Sequence, residues 1–102
     1  MAAKEFDVSY QKRAENDLDA LSTYDQRLVL DAVEKYLESE PTKESKTRIK
    51  KMKQPFWCEY RLRVGEYRVY YDVDEEEGMV TIVRIYEKGR SETPKGESHE
   101  TD

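Results

Sequence analysis

Apolar and polar residues alternate over EFDVSY, residues 5–10, where Phe6, Val8 and Tyr10 share one side; this predicts a short, half-buried strand. The period then lengthens. In QKRAENDLDALS, Ala14, Leu18 and Leu21 fall on one face of a helix, and from Tyr24 to about Glu38 a second helical face carries Leu28 or Val29 with Ala32, Val33, Tyr36 and Leu37. Thr23 and Gln26 fit a T-x-x-Q capping box at the start of that helix, and Pro41 cannot continue it. Two helices with so short a break form a hairpin whose joint apolar face needs a flat surface to cover.

Period two returns in WCEYRLRV and EYRVYYDV, which meet near Gly65, a residue suited to the positive φ of a tight hairpin. DEEEG, residues 74–78, is the next turn and MVTIVRIYEKG a third strand, so the three make an antiparallel meander. Strict alternation places Tyr60, Leu62 and Val64, then Tyr67, Val69, Tyr71 and Val73, then Thr81, Val83 and Ile85 on the side that covers the helices. The other side collects Glu59, Arg61 and Arg63, then Arg68, Tyr70 and Asp72, then Ile82, Arg84, Tyr86 and Lys88. The connector TKESKTRIKKMKQP has only Ile49 and Met52 as large apolar residues and reads as a basic loop anchored at those points. The expected fold class is α+β: an N-terminal strand and a helical hairpin packed on an antiparallel meander sheet. One domain over residues 1–90 is followed by a flexible acidic tail, 91–102, which is short of apolar residues.

Composition narrows the function. The 102-residue chain is 36% hydrophobic and 40% charged, yet its eight tyrosines, two phenylalanines and one tryptophan supply the bulky apolar surface that disordered chains lack. A single cysteine, Cys58, excludes an internal disulfide, and the absence of a long apolar run makes the cytoplasm the default location, with no membrane partner. Cys58 and His99 are too few for a zinc site of the usual ligand types, and no glycine-rich nucleotide loop is present, so neither metal nor cofactor is expected.

The net charge of −5 argues against a general nucleic-acid binder, but it conceals an asymmetry. Between Lys43 and Arg68 there are nine basic residues against three acidic ones. With Arg61, Arg63, Arg68, Arg84 and Lys88 from three strands on one side of the sheet, this segment suits a polyanion. The competing reading is a solvated face whose charge keeps exposed strands soluble, with Glu59, Glu66 and Asp72 pairing locally.

The order of strand, helical hairpin, basic connector and YRLRVGEYRVYYDVDEEEGMVTIVRIYEKGR resembles the RelE/ParE superfamily of bacterial and archaeal type II toxins. The likeness runs over roughly residues 5–90 and is densest in LRVGEYRVYY and VTIVRI. It implies a toxin neutralised by a cognate antitoxin. In the ribonuclease branch it further implies cleavage of mRNA on the ribosome without metal, the RNA 2′-hydroxyl acting as nucleophile. That chemistry needs a base, a stabiliser for the crowded phosphate and an acid for the leaving oxygen.

By the same resemblance Arg68 falls on the arginine thought to stabilise the phosphate, Arg61 on a position that is usually basic, and Lys88 near a second catalytic arginine. Glu59 stands where some members carry a lysine proposed as base, and serves either as base or as ion-pair partner of Arg61. Tyr86 faces the same side as these four. Lys50, Lys51, Lys53, Arg63, Arg84 and Arg90 are candidates for holding RNA. Two departures stand out: Pro94 occupies about the place of the C-terminal tyrosine or histidine of ribonuclease members, and the chain is acidic overall where ribosome-binding toxins are basic. They point to two alternatives, a ParE-like inhibitor of DNA gyrase and an inactive toxin-like binding module.

Overall fold

The computed structural model describes residues 5–88; the expected tail and Arg90 lie outside them. Along the chain come β1 (Asp7–Tyr10), α1 (Lys12–Asp19), α2 (Thr23–Ala32) running into a π-helical turn (Val33–Leu37), β2 (Ile49–Lys51), β3 (Tyr60–Val64), β4 (Tyr67–Asp74) and β5 (Met79–Glu87). The strands form one sheet in the order β1-β5-β4-β3-β2. β1 runs parallel to β5 and every other pairing is antiparallel. The expected α+β architecture is present, with the meander β3-β4-β5 at its centre. Gly65 and Gly78 take φ of 57° and 65° at the two turns, where a side chain would be strained.

The helices cover one side of the sheet. Ala14 of α1, Val29 of α2, and Val33 and Leu37 of the π turn pack on Leu62, Val69, Tyr71, Val80 and Ile82. Of the two candidate positions Leu28 and Val29, Val29 is the buried one. The cap lies one residue before the expected box: the Ser22 hydroxyl accepts the Asp25 N–H at 3.1 Å, and Gln26 Nε2 donates to the Leu21 carbonyl. Serine caps better than threonine, which places the start at Ser22 and makes Thr23 the first helical residue. The Tyr67 hydroxyl then ties β4 to α2 by donating to the Asp25 carboxylate at 2.7 Å.

Two expectations are corrected. The basic connector is not a loop throughout, because Ile49–Lys51 pairs with β3 as an edge strand and Ile49, opposite Leu62, enters the core. A three-residue strand has one inward side chain, so its charged neighbours hide it; those same charges blunt the edge against unwanted pairing. The second correction concerns parity. The β4–β5 ladder shifts register between Tyr70, which faces Arg84, and Tyr71, which faces Ile82, leaving Val83 as the extra residue of a bulge. From there toward Met79 the sides exchange: Val80 and Ile82 are fully buried in the core, and Thr81 stands opposite Asp72 on the other side.

β1 accompanies β5 only as far as Ile82, and α1 closes the edge beyond it. The Asp17 carboxylate accepts from Arg84 Nε at 2.8 Å, from Arg84 Nη2 at 3.1 Å and from the Ile85 N–H at 2.9 Å. Asp17→Ala leaves a guanidinium and a backbone donor without their acceptor. Because the pair is partly exposed the expected loss is about 2 kcal/mol, below that of a fully buried pair. Urea unfolding of the two proteins measures it.

Candidate functional site

On the side away from the helices, pairing register sorts side chains into rows that run across the strands. One row is Lys50 of β2, Arg61 of β3, Tyr70 of β4 and Arg84 of β5. The next, toward the β3–β4 turn, is Arg63, Arg68 and Tyr86. Lys50 and Arg61 are thus directly opposed, as are Arg63 and Arg68. Directly opposed like charges weaken a sheet unless something anionic lies over them. Lys50 and Arg63 are exposed and Arg61 is half-buried, so this cationic strip is open to solvent.

Arg68 is buried, 7% exposed, and its Nη1 donates to the carbonyls of Gly65 at 3.2 Å and Tyr67 at 3.1 Å. These bonds to the hairpin fix the plane of the guanidinium. Tyr86, directly opposite on β5, is equally buried. The surrounding side of the sheet is not bare. The loop before β3 folds back so that Trp57 packs on Tyr70 at 4.8 Å and meets Tyr86 edge-on, with Phe56 stacked on Trp57 at 5.2 Å. Met52 and Cys58 complete this second, smaller core. Covered on both sides, β4 is buried continuously from Tyr67 to Tyr71.

The remaining candidates separate. Glu59 lies beyond the start of β3 and acts on the backbone: its carboxylate accepts the Val73 N–H at 2.9 Å while its own N–H donates to Asp72 Oδ1 at 2.7 Å. Arg84, a candidate for holding RNA, is bound by Asp17, its guanidinium 4.6 Å above the Tyr86 ring. Lys88 is exposed just past β5, its N–H bonded to the Glu66 carbonyl at 2.6 Å. Lys50, Lys51 and Lys53 line an open cleft of about 640 Å³ at the β2 edge.

Sequence reasoning missed Arg48 and Tyr36 as a pair. Arg48 Nε donates to the Tyr36 hydroxyl at 3.1 Å and its Nη1 to the Arg63 carbonyl, so it braces the strip from the helical side. The hydrogen bond from Arg48 lowers the Tyr36 pKa, and the nearby Lys35 adds to the effect. Their separation of 12 residues, across the connector, left no local signal in the sequence.

At the opposite end of the same side is a cleft of about 500 Å³ walled by Phe56 and Trp57 and lined by Glu59, Asp72, Asp74, Glu75 and Glu76. The Trp57 indole nitrogen is buried without a hydrogen-bond partner among the described residues. Burial raises the Asp72 pKa; the hydrogen bond from the Glu59 N–H opposes the rise, and the Glu59 carboxylate adds a smaller push upward. A carboxyl raised on folding weakens the fold as pH climbs through its ordinary and then its raised pKa, and is neutral to stability below both. Asp72→Asn, which keeps an acceptor for the Glu59 N–H, is therefore expected to melt higher than wild type at pH 7 and to converge with it near pH 3. Thermal melts across that range measure the difference. Burial also pushes the Cys58 thiol up to about 12, too high for a thiolate nucleophile at neutral pH. Among the described residues no His, Cys, Asp and Glu group is placed to hold a metal ion, and no helix is long and apolar enough to cross a membrane.

Comparison with known proteins places this arrangement. Among solved structures the chain is similar to one in the toxin–antitoxin complex RelBE2 from Mycobacterium tuberculosis (24% identity, TM-score 0.73, 83% of this chain and 93% of that one). It is also similar to one in the archaeal RelE–RelB complex from Pyrococcus horikoshii OT3 (27%, 0.69, 85% and 99%) and to the isolated RelE toxin of E. coli (18%, 0.64, 85% and 88%). No curated protein matches the sequence. The family model described as ParE toxin of type II toxin-antitoxin system, parDE, matches residues 8–91, most of the chain. The chain therefore belongs to the ParE toxin family, within the RelE/ParE superfamily of type II toxins.

Proposed function

We propose that this toxin is an endoribonuclease acting on mRNA at the ribosome, with the RNA laid over the cationic strip. The observation that carries the reading is the pair of directly opposed like charges, Lys50 with Arg61 and Arg63 with Arg68. A phosphate backbone laid across this side is attracted to all four cations. In the reaction the 2′-oxygen attacks the adjacent phosphorus as its proton leaves to a base, and the bond to the 5′-oxygen breaks as that oxygen gains a proton. Arg68, with its plane fixed by the hairpin carbonyls, donates to the crowded phosphate; Arg61 and Lys88 add charge beside it, and Tyr86, opposite Arg68, brings a phenol to the same place. No step in this scheme calls on a metal or cofactor.

Binding is tested apart from cleavage. For a single-stranded RNA oligonucleotide, log K against log salt falls by about 0.7 per phosphate contact. Replacing both Lys50 and Arg63 by glutamine is expected to flatten that slope by about 1.4. An unchanged slope would place the RNA elsewhere.

The cognate partner is an antitoxin. The RelBE2 and archaeal RelE–RelB assemblies are toxin–antitoxin complexes, and an acidic segment laid over the strip would neutralise the same cations that hold RNA. A second reading, inhibition of DNA gyrase, is favoured by the ParE family match and by the engagement of Glu59 with Val73 and of Arg84 with Asp17. Loss of gyrase supercoiling at stoichiometric toxin, with messages left intact, would establish it. Both targets are cytoplasmic, which makes the cytoplasm the proposed location.

A further inference from the structure

The outer side of the sheet carries opposite charges at its two ends. Lys50, Arg61 and Arg63 stand at one end, and Asp72, Glu75 and Glu76 on the cleft at the other. Glu59, on the acidic cleft, and Arg63 are four residues apart along the chain, about 13 Å in an extended strand. The boundary between the two ends runs between the Arg61–Tyr70 pair and the hydrogen-bonded Glu59 and Asp72, with the partly exposed Phe56 and Trp57 forming a wall of the cleft.

We propose that two copies of the chain associate through this side, about a two-fold axis lying in its plane along that boundary. Such a rotation sets the cationic strip of each copy on the acidic cleft of the other, so one contact is made twice. Phe56 and Trp57 meet near the axis and add apolar area. The occupant is a second copy because this surface is its own electrostatic complement. Although the chains carry a net charge of −5 and repel at long range, the patches act within a Debye length of about 10 Å, where their own signs decide. If the strip holds RNA, as proposed above, the dimer is a self-masked form that must part before the toxin engages its target.

Sedimentation equilibrium on the full chain without RNA tests this independently of cleavage. The wild type is expected to sediment as a dimer at ~50 mM salt, with a dissociation constant at least about tenfold higher at ~500 mM. Asp74→Lys, Glu75→Lys and Glu76→Lys together leave only Glu59 and Asp72 acidic on the cleft and make both ends positive, and Lys50→Glu with Arg63→Glu makes both ends negative; each of these chains alone is expected to be monomeric. An equimolar mixture of the two is expected to recover the mass of a dimer. A wild type that stays monomeric at low salt overturns the proposal, as does a doubly positive chain that dimerises like the wild type. Circular dichroism of each variant confirms folding, and because the substitutions are at exposed positions the recovered mass in the mixture cannot come from refolding.

Discussion

Tyr71→Ala is expected to lower the free energy of unfolding by about 4 kcal/mol, a large share of what holds a domain of this size together. Tyr71 is fully buried at the centre of β4 and stacks on Tyr60 with ring centroids 5.6 Å apart and planes 17° from parallel. Its hydroxyl donates to the Pro41 carbonyl at 2.6 Å, which fastens the chain leaving the π-helical turn to the middle of the sheet. Alanine opens a cavity where helices, sheet and connector meet, and Pro41 is itself fully buried, so its carbonyl has no route to water. Tyr71→Phe separates the two contributions. Keeping the ring and removing the donor is expected to cost about 1–2 kcal/mol, the penalty of a buried acceptor left unpaired. Urea unfolding of the three proteins gives the ordering, and a phenylalanine variant as unstable as the alanine one would mean that the hydrogen bond, not the packing, dominates.

Arg68→Lys is expected to reduce RNA cleavage by at least about a hundredfold while the fold survives. Lysine keeps the charge and most of the apolar stem, so long-range attraction to RNA changes little. It lacks the planar fork, and with it the two bonds from Nη1 to the Gly65 and Tyr67 carbonyls that aim the group. Loss of rate with RNA affinity nearly unchanged distinguishes a residue acting on the reacting phosphate from one that merely holds RNA. Because Arg68 also braces the β3–β4 hairpin, unfolding measurements accompany the kinetics. A loss of activity matched by a loss of folded protein would assign Arg68 to structure alone.

The meander was legible because Leu62, Val64, Val69, Tyr71 and Val73 alternate without interruption, and Gly65 marks its first turn. The helical pair was legible for the same reason: Ala14, Val29, Val33 and Leu37 recur at helical spacing, and all four are buried. What escaped was written in non-local pairing. β2 has one inward side chain, Ile49, and nothing within three residues identifies a strand until Leu62 is seen beside it. The bulge at Val83 falls in VTIV, where residues of similar β propensity occupy both sides, so alternation gives no warning that the sides exchange.

The site divides along the same line. That Arg61, Arg63 and Arg68 share a side followed from parity alone, before any partner was known. The roles of Glu59 and Arg84 did not, since their partners, Val73 and Asp17, are 14 and 67 residues away. Arg84 shows this most plainly: charge and parity placed it on the outer side of the sheet, where it stands, but gave no sign that a helix 67 residues upstream holds its guanidinium.

The measurement that bears most directly on the account is primer-extension mapping of 5′ ends on a message under translation in a purified cell-free system. It compares wild-type toxin, Arg68→Lys and a reaction without ribosomes. The account predicts discrete new ends with the wild type, at least about a hundredfold fewer with the variant, and none when ribosomes are omitted. An intact message with translation undisturbed, or cuts that persist without ribosomes and ignore the Arg68 change, would contradict it.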